Sequence, residues 1–157
     1  MLGVWLALAL AAQVSSEGPS VRYSNSFSER YWQVTGCDDV LSEALPVEPP
    51  RSFKSRSGLR TAVLVRTNGV QIPYDRAEAR LTIDGPNMDS ICLKTAQFRN
   101  LSVHWNGDGM VFLFQGLGHI VGTEELFDVE SKTWLLQRTA SYVKGRATSS
   151  TEAESGT

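Results

Sequence analysis

Histidine is scarce in this 157-residue chain: His104 and His119 are the only two. A zinc site calls for several His, Cys or carboxylate ligands at close spacing, and only two cysteines, Cys37 and Cys92, could join them. A side chain that titrates unshifted near neutral pH is equally scarce. His104 neighbours Trp105 on an alternating segment and should leave by the wet face. His119 lies among glycines, which give little rigid support for catalytic geometry. No Gly-x-Ser-x-Gly elbow occurs, and Gly116-Leu117-Gly118 lacks the third glycine of a phosphate-binding loop. Glu124 and Glu125 are adjacent, so a strand would send them to opposite sides. These absences point away from an enzyme, and no metal or cofactor is expected.

Positive charge is not in excess either. Fifteen Lys and Arg face 17 Asp and Glu, a net charge of -2. Nucleic acid calls for a basic patch and is not an expected partner. One local cluster, Arg51, Lys54, Arg56 and Arg60, has no acid near it in sequence and reads as a solvated loop. Beyond residue 14 no apolar run approaches the ~20 residues that cross a bilayer. Membrane association is therefore expected only indirectly, through a partner.

What is present begins with an apolar run over residues 2–14, including Leu2, Val4, Trp5, Leu6, Leu8, Leu10 and Val14. It is too short for a membrane anchor, and small residues follow it. Residues 1–16 therefore read as a signal peptide, cut after Ser16. The expected location is the extracellular space or the lumen of the secretory and endolysosomal pathway. An even cysteine count there reads as a Cys37–Cys92 disulfide. Asn100-Leu101-Ser102 is a sequon that makes Asn100 a glycosylation candidate.

Residues 17–50 form a mixed N-terminal segment. Tyr23, Phe27, Tyr31 and Trp32 concentrate aromatic area among serines, a composition that suits an interface. The same four residues could instead plug the end of a β core. Val40, Leu41, Ala44 and Leu45 have helical spacing, with Asp38 or Asp39 as cap, and predict a short helix. Pro46, Pro49 and Pro50 end it.

Residues 51–144 read as a β domain. A first hairpin is predicted from Leu59 to Thr67, turning at Asn68-Gly69 into Val70-Gln71-Ile72-Pro73-Tyr74. A short strand follows at residues 79–83. The second hairpin joins residues 101–105 to 110–114 through Asn106-Gly107-Asp108-Gly109. Its first strand alternates, and its second is apolar on both faces, as in a central strand. A third joins residues 126–129 to 134–136, with Trp134 packed inward. Residues 145–157 are small and polar and read as a disordered tail.

The order of these pieces resembles the luminal domain of the lysosome-associated membrane protein family. The resemblance runs from Ala62-Val63-Leu64-Val65 through Tyr74-Asp75, then Cys92, Leu101-Ser102-Val103-His104-Trp105, and Met110 to Phe114. It implies a β-prism-like glycoprotein domain of the endosomal or lysosomal lumen. That family pairs the corresponding cysteine with one where Leu59-Arg60-Thr61 stands here, so Cys37 would have to substitute.

The expected fold is therefore mainly β: a single compact antiparallel sheet domain, β-prism or β-sandwich like, with one short N-terminal helix and a disordered C-terminal tail. The expected function is that of a secreted or luminal, non-catalytic interaction glycoprotein with a protein partner. The alternative is a small lipocalin-like barrel carrying a hydrophobic ligand. Tyr31-Trp32 resembles the Gly-x-Trp strand of those proteins, although Gly36 follows the Trp.

Overall fold

The structure, a computed structural model, describes residues 20–38, 41, 49–67 and 77–143. Among these, ten strands build two five-stranded sheets, and every ladder is antiparallel. The first sheet has the order β1-β10-β9-β8-β7, from β1 (Ser20–Ser24), β10 (Thr133–Val143), β9 (Val121–Asp128), β8 (Met110–Gly116) and β7 (Asn100–Asn106). The second has the order β2-β6-β5-β4-β3, from β2 (Gln33–Thr35), β6 (Ile91–Ala96), β5 (Glu78–Asp84), β4 (Thr61–Arg66) and β3 (Arg51–Lys54). The β structure thus reaches back well before residue 51, because β1 and β2 supply one edge of each sheet.

The two-residue period explains the architecture. Leu81 and Ile83 of β5 are buried, as are Val111 and Leu113 of β8, while their immediate neighbours reach the surface. The inward residues of both sheets meet in one cluster, which includes Leu64, Leu81, Leu93, Val103, Leu113 and Phe127. Trp134 stands edge-on to Phe127 with ring centroids 4.9 Å apart. Burying each such side chain contributes about 1.5–3 kcal/mol.

The second and third hairpins form where the sequence places them, with Gly107 at φ 69° and Lys132 at φ 54° in their turns. The first differs. The ladder partners of β4 are β3 and β5, and the neck towards β5 closes through Thr67, whose N–H and hydroxyl donate to the Glu78 carbonyl. The Asn68-Gly69 turn and the Val70–Tyr74 run lie outside the described residues, as do the segments read as a signal peptide and a C-terminal tail; of the helix expected at residues 40–45 only Leu41 is described, and it belongs to no element. Among the described residues the only helical element is a 3-10 turn at Ser28–Arg30, so a short N-terminal α-helix has no support there. No described helix is long and apolar enough to cross a membrane.

Cys37 and Cys92 form a disulfide, with Cα atoms 5.2 Å apart. Thr35 pairs with Cys92 in the β2–β6 register, so the bond secures the three-residue edge strand just beyond its last ladder position. The cross-link spans 55 residues. Replacing both cysteines with serine should therefore lower the unfolding free energy by about 4 kcal/mol, the loop-closure entropy for a loop of that length. Urea titrations of the oxidised protein and the double variant check this, and coincident midpoints would refute it.

Candidate functional site

The inner face of the first sheet is apolar at one end and polar at the other. Cross-strand register places Gln115 beside Thr123 and Thr123 beside Thr139, with Glu125 beside Gln137 in the next row. A register shift between Trp134 and Leu136 makes this possible. It lets Trp134 face the core beside Phe127 and, three residues later, lets Gln137 face the core beside Glu125.

Glu125 is completely withdrawn from solvent. Four uncharged donors meet its carboxylate. Oε2 accepts from the Trp32 backbone N–H at 2.8 Å and from Gln137 Nε2 at 2.9 Å. Oε1 accepts from the Thr123 hydroxyl at 3.1 Å and from Gln115 Nε2 at 3.5 Å. Burial raises the Glu125 pKa to about 7, against the lowering effect of these hydrogen bonds.

The segment between β1 and β2 closes over this cluster as a strap. The Arg30 carbonyl accepts from Gln115 Nε2 at 2.6 Å and from the Thr95 hydroxyl at 2.7 Å. The Trp32 carbonyl accepts from Gln137 Nε2 at 2.8 Å. The Ser26 carbonyl accepts from the Thr139 hydroxyl, which also bonds Tyr31 Oη. Phe27 turns the strap at φ 63°, with the Arg30 guanidinium 4.9 Å from its ring centre. Buried backbone groups need partners, and here side chains of both sheets supply them.

The four aromatics proposed as an interface divide accordingly. Trp32 and Tyr31 are 1% and 9% exposed and plug the end of the core, so neither presents a contact surface. Tyr23 and Phe27 are exposed. The cause is position: Tyr23 lies on the outer face of β1 and Phe27 at the turn of the strap, whereas Tyr31 and Trp32, nearest β2, are drawn inward by the bonds to Thr139, Glu125 and Gln137.

On the outer face of the same sheet, Val21 pairs with Tyr142 and Tyr23 with Ala140. The Tyr142 N–H donates to the Ile120 carbonyl at 2.7 Å, bringing Ile120 alongside. Val21, Tyr23, Ile120 and Tyr142 are all exposed. The Arg138 guanidinium lies 3.6 Å from the Tyr23 ring centre and pairs with Glu124 at 2.7 Å, and Tyr142 Oη reaches Glu124 at 3.4 Å. Glu124 and Glu125 do point to opposite sides of β9, one to this patch and one to the core.

His104 is exposed on the outer face of β7, and His119 is exposed in the β8–β9 turn. Asn100 is exposed at the start of β7, an edge strand. Arg51, Lys54 and Arg56 are exposed, but Arg60 is consumed: it donates to the Asp108 carbonyl at 2.8 Å and pairs with Glu130. Ser57 donates from its N–H and hydroxyl to Asp108, whose pKa is held low by those bonds. An acid distant in sequence thus answers a cluster that looks unanswered along the chain. Among the described residues no group of three His, Cys, Asp or Glu is placed to hold a metal ion.

A carboxyl with a pKa near neutrality has the profile of a general base. Glu125, however, has no solvent-exposed surface for a substrate to reach. Its role in the fold is to hold the strap. The sequence signal for it was phase alone, since Thr123 and Glu125 fall in step with Phe127 and Val129.

No family model matches the chain, and no curated protein or solved structure matches it either.

The folded-state pKa of Glu125 lies above its ordinary value of 4.5. The folded protein therefore binds this proton more tightly than the unfolded chain, and the stabilisation is fully present below pH 4.5. It is lost as pH rises through about 7. A shift of this size corresponds to roughly 3 kcal/mol. Guanidinium titrations between pH 5 and 8 should show this decline in the native protein and a flatter profile in Glu125→Gln. Equal slopes in the two proteins would exclude Glu125 as its source.

Proposed function

We propose that the chain is a secreted or luminal, non-catalytic interaction domain that engages a protein partner through the β1 edge and the outer face beside it. The observation that carries this reading is the continuity of Val21, Tyr23, Ile120 and Tyr142 around the Arg138–Glu124 pair, on a strand whose far side has no ladder partner among the described residues. Tyr and Arg are the side chains that dominate protein contacts, because they bring large area and directed hydrogen bonds together. An edge strand adds a row of backbone donors and acceptors, onto which an extended segment of a partner can pair.

The interior supports this reading over the carrier alternative. A lipid-binding barrel needs an apolar chamber, and here Trp32, Phe98, Phe127 and Leu113 fill the space between the sheets. An open hollow of about 270 Å³ near β2 and β6 is lined by charged and polar groups such as Glu29, Gln33 and Lys94. The disulfide is consistent with an oxidising compartment. The endolysosomal lumen suggested by the family resemblance is reached through the endoplasmic reticulum, where such bonds form, and a Glu125 carboxyl stabilised in its protonated form suits acid conditions.

Photo-crosslinking from Val21 and Tyr142, with Lys132 as control, should trap a protein from the surroundings of the secreted chain. The purified partner should then bind at least tenfold more weakly to Tyr23→Ala/Tyr142→Ala, whose melting temperature should stay close to that of the parent. Trapping that is equal from Lys132, or binding unchanged in the double variant, rules out this surface.

A further inference from the structure

The outer face of the first sheet departs from what a sheet with one wet side requires. In such a sheet apolar residues point inward and polar ones outward. The β8 strand is apolar on both faces. Val111 and Leu113 are buried in the core, while Met110, Phe112 and Phe114 are half-buried and point the other way. Register carries this character across the three middle strands, with Phe112 beside Leu126 and Leu126 beside Leu136. All three are half-buried and face away from the second sheet. Toward β1 the patch runs on into Ala140, with the exposed Tyr23, Ile120 and Tyr142 around it. Contiguous apolar surface of this kind marks a contact site.

The charges on the face say what fits it. The row next to Leu126 and Leu136 holds Phe114, Glu124 and Arg138. Arg138 spends both Nε and Nη2 on one oxygen, Glu124 Oε2, at 2.9 Å and 2.7 Å. Glu124 Oε1 is left with the long 3.4 Å contact from Tyr142 Oη. An apolar surface with one cation beside one anion is complementary to itself.

We infer that a second copy of this chain stacks on the outer face about a two-fold axis running along the sheet between β9 and β10. The inference rests on the interaction reading above and names the partner of that surface. Such an axis lays each β10 residue over its own β9 neighbour in the copy. Arg138 meets Glu124, Leu136 meets Leu126 and Tyr142 meets Ile120, each contact made twice, as an isologous interface demands. The overlap spans β8 to β1 and leaves β7, with Asn100 and His104, outside it. Strand spacing and rise make this area roughly 19 Å by 23 Å. With side-chain relief it buries about 600 Å² per copy, the low end for a specific interface. The dimer is therefore concentration-dependent.

Sedimentation of the full secreted chain over a range of concentrations tests this. The parent should pass from monomer to dimer as concentration rises. Leu126→Asp should weaken the association by about tenfold or more, and His104→Asp, outside the overlap, should not. Arg138→Glu and Glu124→Arg should each remain monomeric alone, because like charges are then stacked. Mixed in equal amounts they should form dimers holding one chain of each, which only folded chains can do. Where a reversed variant fails to fold, Leu126→Asp decides. Reversed variants that fold but stay apart on mixing overturn the inference, as does a dimer undisturbed by Leu126→Asp. A parent that stays monomeric yet crosslinks a different protein from Val21 and Tyr142 overturns it and leaves the interaction reading standing. A monomer that crosslinks nothing overturns both.

Discussion

A carboxylate taken out of water must be met by donors, and each donor that meets Glu125 fixes a different part of the chain. The Trp32 N–H fixes the strap, Gln137 fixes the second half of β10, and Gln115 fixes the end of β8. Gln115 also bonds Thr95 of β6, in the other sheet. The cluster therefore joins both sheets and their N-terminal connection through one interior point. Removing a single member would leave the others buried without partners, which is more costly than the bond itself. This explains why polar residues occupy positions that strand alternation reserves for apolar ones. It also leaves loose ends: Trp32 Nε1 and Gln115 Oε1 are buried without a hydrogen-bond partner. The second of these belongs to a residue in contact with Glu125 Oε1, where a protonated carboxyl offers a donor.

Much of the strand pattern could be read from the sequence, for local reasons. The β7–β8 and β9–β10 hairpins announce themselves by turn residues and a two-residue period, both properties of adjacent positions. The disulfide was readable because two cysteines allow one pairing. The roles of Tyr31 and Trp32 were not readable. Trp32 is held by a residue 93 positions away, and no local pattern distinguishes an aromatic on the strap from one on a surface. The ladder of β4 with β5 was missed because Asn-Gly is a strong local turn signal, whereas the observed neck closes at Thr67 and Glu78.

The two sides of the first sheet divide their tasks. The inner side holds the molecule together, with an apolar half that supplies area and a polar half that supplies direction. The outer side is free of that duty, and its residues follow another logic: aromatics around an ion pair near β1, and an asparagine with a glycine opposite it near β7. Glu124 and Glu125 show the division within two residues, one tied to Arg138 at the surface and one to the Trp32 N–H in the core.

The register shift at Leu135 makes β10 two strands in opposite phase. A frame-preserving loss of that one residue would straighten the ladder and restore strict alternation from Trp134 onward. Gln137 would still stand opposite Glu125 and Thr139 opposite Thr123, both facing inward, with Arg138 beside Glu124 on the outer face. Substitution at Leu135, which is 53% exposed, changes little of this. The position thus tolerates almost any side chain and also its own removal, so variation there should appear both as exchanges and as single-residue deletions.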